Sequence, residues 1–359
     1  MRLDKLTSDY LKTGIPELRN VVMEVSMTKR NTNSRTASIV KTLAYLVFLL
    51  VCTEVGVRIY WMVNLGYFFI DGRNAVYNYQ ELLHETGVFD AEINDGDGFY
   101  DVLILGGSVV SKDFGNIGTY LKSELDKTGK NTRIWNGAEA AHTSRDSWEK
   151  YRNLKDKNFD LVIIYHAANE SRFNNVPPDS FKNDYSHVSW YQQINSFNKH
   201  WEMSFFMLPF TIDKILIRLK FLNNEYIGRH DGLTQLAQYG NDIKSAVPFR
   251  NYMSSIAEEA GRRGEKLVFV TYSLFVPLEA NTWLNTELFG LPENILSAVT
   301  RHNEITRAIA HDSPHVDIVE MASNIPSTRQ HFIDAVHLTD LGVKVWVENF
   351  KSQMKELFN

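Results

Sequence analysis

The sequence predicts a three-layer αβα sandwich on a parallel sheet of about five strands, preceded by one N-terminal transmembrane helix. Two observations carry the prediction. From Asp101 onward, short apolar runs alternate with longer amphipathic stretches, the pattern of a parallel sheet covered by helices on both faces. Upstream, residues 37–70 form one long and strongly apolar segment. A composition of 44% hydrophobic and 23% charged residues over 359 positions is that of a folded chain large enough for a sizeable core.

Residues 1–36 read as a cytoplasmic segment and 37–70 as the anchor region. Thr42 to Thr53 is uncharged, Glu54 and Arg58 interrupt, and Ile59 to Ile70 is uncharged again. A span of about 20 residues fits if Lys41 and Arg58 extend outward and Glu54 pairs with Arg58 one turn away. A buried helix of the soluble domain and a cleaved signal peptide are the other readings. No A-x-A-like cleavage site follows, and the stretch outruns a signal peptide. Lys29, Arg30, Arg35 and Lys41 precede it, so the positive-inside rule puts the N-terminus in the cytoplasm and the bulk of the chain on the periplasmic or extracellular side. Residues 1–26 suggest no partner element, and Met27 opens a basic head followed by the anchor. Translation is therefore expected to start at Met27 or Met23, and an intact mass beginning at Met1 would overturn that.

Residues 71–100 read as a connector with a helical stretch around Tyr77 to Glu85. The expected strands are Asp101–Leu105, Thr132–Trp135, Leu161–Tyr165, Lys266–Tyr272 and Val316–Met321. The expected helices are Gly118–Lys127, Ser144–Lys155, Asn251–Arg263, Ile295–Ala310 and Leu341–Leu357. Residues 101–359 thus form one α/β domain, interrupted by an insert at about 173–248 whose middle is aromatic and apolar at helical spacing. Either it packs an extra helical pair, or it makes a lid or membrane-facing surface.

The first strand runs into Gly106-Gly107-Ser108, where an open parallel sheet binds its ligands. Two glycines permit a tight turn that exposes Ser108, although such turns are common without catalysis. Near the C-terminus stands Asp334-Ala335-Val336-His337. A serine hydroxyl needs a base, and an imidazole base needs a carboxylate to fix its tautomer, so this turn supplies both groups or simply caps the last helix. Asn136-Gly137 follows the second strand and Asn169 the third; a glycine amide and an Asn amide, with the Ser108 amide, would suit an oxyanion, and each is also an ordinary turn residue.

These blocks resemble the SGNH/GDSL hydrolase family, whose four blocks supply Ser, Gly, Asn and His in that order. The resemblance runs from about Asp101 to the C-terminus. It implies Ser108 as nucleophile, His337 as base, Asp334 as its partner, and Ser108, Gly137 and Asn169 as oxyanion donors. Gly107 stands where the family has an acidic residue, and Ala167 and Glu170 replace the Gly and Asp of the third block. His166 and Glu170 flank Asn169 and are candidates for substrate contact.

Other candidates are weaker. His331 precedes Asp334 and departs from the family order as a base. Ser111 is expected to be structural. His311 and His315 are separated by Pro314, which argues against a shared helical face for a metal. Gly106-Gly107-Ser108 lacks the Lys and spacing of a phosphate loop. A net charge of −5 without a long basic run argues against nucleic-acid binding. The single cysteine, Cys52, leaves no intrachain disulfide framework.

The expected activity is hydrolysis of acyl esters, acetyl esters among them, on a small molecule or on envelope or exported carbohydrate, without metal or organic cofactor. The same machinery would serve an O-acyltransferase acting on polysaccharide. A catalytically silent glycan-binding or assembly module is the rival from another class. Oligomeric state is not legible in the sequence.

Overall fold

A computed structural model describes residues 16–65, 86–94, 96–174, 178–188, 207–219, 243–275 and 292–358. The expected helix at 77–85, residues 66–70 of the anchor region and most of the 173–248 insert lie outside them. The chain divides into two compact units, one made of residues 1–72 with 204–212, the other of 73–203 with 213–359.

The first unit is dominated by α1, Pro16–Leu65. The helix begins well before the apolar segment and takes in part of residues 1–26. Its stretch Thr36–Val63 has a mean hydropathy of 1.8 and is long and apolar enough to cross a membrane. Leu43, Leu46, Val47, Phe48 and Leu50 are all at least half exposed, as side chains meant for lipid would be. Trp61 and Glu54 are the buried residues of the stretch, 7% and 6% exposed, and the charged one is Glu54. Its carboxylate accepts Arg58 Nε at 2.7 Å, and also the backbone N–H groups of Met207 at 2.7 Å and Leu208 at 2.9 Å. Those amides open a helix, Leu208–Arg218, so the acid that interrupts the apolar run caps another helix of the chain. Trp61 Nε1 donates to Thr211 Oγ1 at 3.0 Å, one further tie.

The second unit holds five parallel strands: β1 Tyr100–Gly106, β2 Thr132–Asn136, β3 Leu161–Tyr165, β4 Leu267–Val270 and β5 Val316–Val319. Their order is β2-β1-β3-β4-β5. Alternate side chains of each strand enter opposite cores, which is why the strands read as continuous apolar runs. Val102, Ile104, Leu161 and Ile163 pack with Leu121, Trp346 and Phe350, while Leu103, Leu105, Val162 and Ile164 pack with Tyr151, Phe249, Met253 and Ile256. The first layer uses the helices Ile117–Asp126 and Asp340–Gln353; the second uses Ser144–Asn153 and Val247–Arg263. The three-layer sandwich with five parallel strands is as the sequence predicts.

The boundaries differ for identifiable reasons. The fourth and fifth strands end early because the backbone turns to side-chain partners: Tyr272 N–H donates to Asn303 Oδ1 at 2.7 Å, and Met321 N–H to Thr271 Oγ1 at 2.8 Å. The helix expected from Asn251 starts at Val247, since Pro248 in the first turn costs no hydrogen bond. Gly264, at φ 73°, closes it in a left-handed cap.

The last helix starts at a tight crossing. Thr339 Oγ1 accepts the Gly342 N–H at 3.1 Å, and a Cβ on Gly342 would stand 2.1 Å from the His331 carbonyl oxygen. Gly342→Ala is therefore expected to cost about 1–3 kcal/mol of stability, as overpacking against backbone does, and to lower the melting temperature in a thermal unfolding scan. An unchanged melting temperature would show that the crossing can relax.

Candidate active site

The order β2-β1-β3-β4-β5 makes β1 and β3 the pair at which the sheet changes winding direction, and open parallel sheets bind their ligands beyond the carboxyl ends of such a pair. Ser108 lies one residue beyond the end of β1, after Gly107. A Cβ on Gly106 would meet Val110 Cγ2 at 2.4 Å and the Tyr165 carbonyl at 2.8 Å, so the chain leaves β1 where no side chain fits. It then makes one 3₁₀ turn, Ser108–Val110, whose start leaves backbone N–H groups without intrahelical acceptors. Ser111 closes the turn, its N–H and Oγ both donating to the Ser108 carbonyl, at 3.0 and 2.9 Å. That is a structural role, as expected.

Asp334 and His337 come to this turn from across the sequence. His337 Nε2 lies 2.8 Å from Ser108 Oγ, and His337 Nδ1 lies 2.6 Å from Asp334 Oδ2. Asp334 Oδ1 accepts the Val336 and His337 N–H groups, each at 2.8 Å, so the carboxylate is fixed at both oxygens. Burial pushes the Asp334 carboxyl up, but hydrogen bonds from the His337 ring and from the two amides outweigh it and hold it below the usual range. An ionised Asp334 makes Nδ1 the donor and leaves Nε2 to face the serine as acceptor. Phe114, not singled out in the sequence, stacks on the His337 ring with centroids 4.8 Å apart. No spacing pattern marks it.

Asn169, at the start of the helix Ala168–Asn174 after β3, points its amide at the serine turn. Its Nδ2 donates to the His142 carbonyl at 2.8 Å and occupies the place where a Cβ on Gly107 would stand, 2.5 Å away. A side chain at 107 would have to share this space with the Asn169 amide.

Three expectations need correction. The Gly137 N–H donates to the Ile104 carbonyl at 2.9 Å, continuing the β1–β2 ladder, so it is already spent and does not offer an oxyanion a bond. His166 and Glu170 do not face a cleft: they are 2% and 1% exposed. His166 Nε2 lies 2.7 Å from Ser147 Oγ, and Glu170 Oε1 accepts the Ser144 N–H at 2.6 Å. Both contribute to a polar interior beneath Asn169, where burial drives His166 down to about 3 and Glu170 up to about 7. The side chains after β3 alternate between cleft and interior, which sequence order alone does not reveal.

His331, His311 and His315 have other partners. His331 Nδ1 bonds Thr328 Oγ1 at 2.8 Å, His311 pairs with Asp312, and His315 Nε2 donates to the Ala257 carbonyl at 2.7 Å. A cavity of about 350 Å³ is lined by Lys112, Asn116, Thr119, Lys122 and Asn136 among others, and by none of Ser108, Asn169, Asp334 and His337.

No family model and no curated protein matches the sequence. Solved structures to which the chain is similar include the acetylxylan esterase Axe2 from Geobacillus stearothermophilus, at 11% identity and a TM-score of 0.43, covering 73% of this chain and 96% of that one. A GDSL-like lipase from Bacteroides thetaiotaomicron is similar at 14% identity and a TM-score of 0.40, covering 78% and 98%. TesA is similar at 15% identity and a TM-score of 0.39, covering 71% and 99%.

The raised Glu170 carboxyl makes a stability prediction. The folded protein keeps a proton that the unfolded chain releases near pH 4.3, so stability is full below that pH and is lost as pH rises through about 7. Glu170→Gln holds the neutral form at every pH. Its melting temperature relative to the unchanged chain is expected to climb between about pH 4 and 7 and then level off. A difference independent of pH in parallel thermal scans would overturn the assignment.

Proposed function

We propose that this chain is a serine esterase of the SGNH/GDSL type that hydrolyses acyl esters, with Ser108 as nucleophile, His337 as general base and Asp334 as its orienting partner. The observation that carries the proposal is the unbroken hydrogen-bonded line Ser108–His337–Asp334 at the carboxyl end of β1. The Asn169 amide beside Gly107 supports it, because a donor poised next to the nucleophile suits the charge that acyl transfer develops.

In this mechanism Ser108 Oγ attacks the ester carbonyl while its proton passes to His337 Nε2. The carbonyl oxygen becomes an oxyanion facing the Ser108 N–H and Asn169 Nδ2. The imidazolium rests against Asp334 on one edge and the Phe114 ring on one face. As the tetrahedral species collapses, the C–O bond to the alcohol breaks and His337 returns the proton to that oxygen. Water then repeats the cycle: His337 takes its proton, hydroxide adds to the acyl carbon, and Ser108 leaves with the proton regained. Asp334 stays ionised throughout.

The substrate is proposed to be an acylated carbohydrate of the envelope or one exported across the membrane. The length and apolar character of Thr36–Val63 support a membrane tether, and the basic residues before it support a cytoplasmic N-terminus with the active site on the far side.

The test uses the full chain in detergent with p-nitrophenyl acetate, butyrate and octanoate, and a fluorophosphonate label followed by peptide mapping. Label on Ser108 is expected, with a loss of at least about a thousandfold in kcat for Ser108→Ala. Retained turnover in Ser108→Ala would overturn the mechanism, and acyl transfer that requires a sugar acceptor would identify a transferase. Asp334→Asn is expected to lower kcat by about 10⁴-fold with little change in KM, by fixing the wrong His337 tautomer. Gly107→Ala, whose methyl group would displace the Asn169 amide, is expected to lower kcat by about 100-fold. Full activity in Gly107→Ala would remove Asn169 from the oxyanion site.

A further inference from the structure

The helix after β2 poses a puzzle of burial. Ser144–Asn153 is strongly polar, yet Ser144, Arg145, Asp146, Ser147 and Lys150 are all buried. A buried ammonium is costly unless its hydrogens are accepted, so the partners of Lys150, which is 0% exposed, show what it holds. Lys150 Nζ donates to the Gly137 carbonyl and lies 2.6 Å from His142 Nδ1. An ammonium has only hydrogens to offer, so His142 Nδ1 is the acceptor and its ring is neutral.

Gly137 and His142 are the two ends of one loop. Within it Ala141 sits at φ 62°, a left-handed conformation that a residue with a Cβ disfavours and that persists only where its surroundings impose it. The loop's inner amides are tied down as well: Ala138 N–H to Asn136 Oδ1 at 3.0 Å, and Glu139 N–H to the Gly106 carbonyl at 3.2 Å. The loop ends by presenting the His142 carbonyl to Asn169 Nδ2 at 2.8 Å. That bond uses one hydrogen of the amide and directs the other.

We infer that Lys150 is a positioning residue for the oxyanion site: it clamps the loop Gly137–His142 at both ends, and the loop aims the Asn169 amide. Gly137, whose own N–H is spent in the ladder, thus serves through its carbonyl as one end of the clamp. The inference rests on the esterase reading for its kinetic consequence, while the geometry it asserts can be observed without turnover.

The test compares Lys150→Met, which keeps the length and apolar stem, with Asn169→Ala and the double variant, in the full chain in detergent. Lys150→Met is expected to lower kcat by roughly 10- to 100-fold with KM within about twofold, in keeping with a misaimed oxyanion donor. The double variant is expected to be no slower than Asn169→Ala alone, because both changes remove the same interaction. Losses that multiply, or a lowered melting temperature with kcat intact, would overturn the inference. Should Lys150→Met not fold, His142 carries the test: His142→Gln keeps an acceptor for the ammonium and is expected to retain kcat within about threefold, while His142→Ala falls as Lys150→Met would. Equal kcat in the two would overturn it. The side-chain ¹H–¹⁵N resonances of Asn169, assigned by their loss in Asn169→Ala, give a readout independent of catalysis. They are expected to shift in Lys150→Met, or in His142→Ala if only that variant folds, and an unmoved signal would overturn the clamp. An unchanged chain with no turnover and no Ser108 label would instead refute the esterase reading and leave the resonance test to decide the clamp.

Discussion

The hydrogen bond between Ser108 and His337, 2.8 Å long, joins residues 229 positions apart, and the second unit is arranged around its two ends. On one side, β1 must stop where neither Gly106 nor Gly107 has room for a side chain, so that the serine turn can lie against Tyr165 and Asn169. On the other, the turn from Asp334 to His337 is held by its own amides and by the bridge between Phe332 and Leu338, immediately before a helix that needs glycine at 342 to pass the His331 carbonyl. Both turns end on well-packed elements, β1 in the sheet and the helix Asp340–Gln353 through Trp346 and Phe350. The short contact therefore rests on a rigid core rather than on loops alone.

Beneath the cleft the chain places a polar interior, and its protonation is set by burial. Two histidines and a glutamate illustrate the rule. His166 and His302 are driven down to about 3 and about 4, and Glu170 is raised to about 7. At Asp334, by contrast, hydrogen bonds outweigh burial and keep a charge. The contrast separates the carboxylate that stabilises a developing cation from the carboxyl that fills a polar gap. It also explains why Asn169, between the two regions, is tied on one side to the His142 carbonyl and faces the serine turn on the other.

In the first unit a similar economy governs Glu54. A carboxylate in an apolar helix is tolerable only if its oxygens are satisfied, and Arg58 with the Met207 and Leu208 amides supplies those bonds. Residues 207–212 of the insert are thereby joined to α1 rather than forming only a feature of the sheet domain. The charge that breaks the apolar run in sequence is the point at which the helix acquires a neighbour.

The amino-acid order by itself determined the alternation of five strands and their helices, the apolar segment, and the residues Ser108, Asn169, Asp334 and His337 that meet at one end of the sheet. The strands were legible because burial on both faces leaves continuous apolar runs, and the four residues because their blocks, each weak alone, together resemble the SGNH/GDSL order. Only the tertiary structure decided which groups near that edge are free. Gly137 spends its amide on Ile104, His166 and Glu170 turn inward, Gly107 makes room for an amide, and Phe114 and Lys150 enter without any motif. The physical reason is that a hydrogen bond is a pairwise matter of direction and occupancy between groups far apart in the chain, whereas periodicity records only which side of an element is buried.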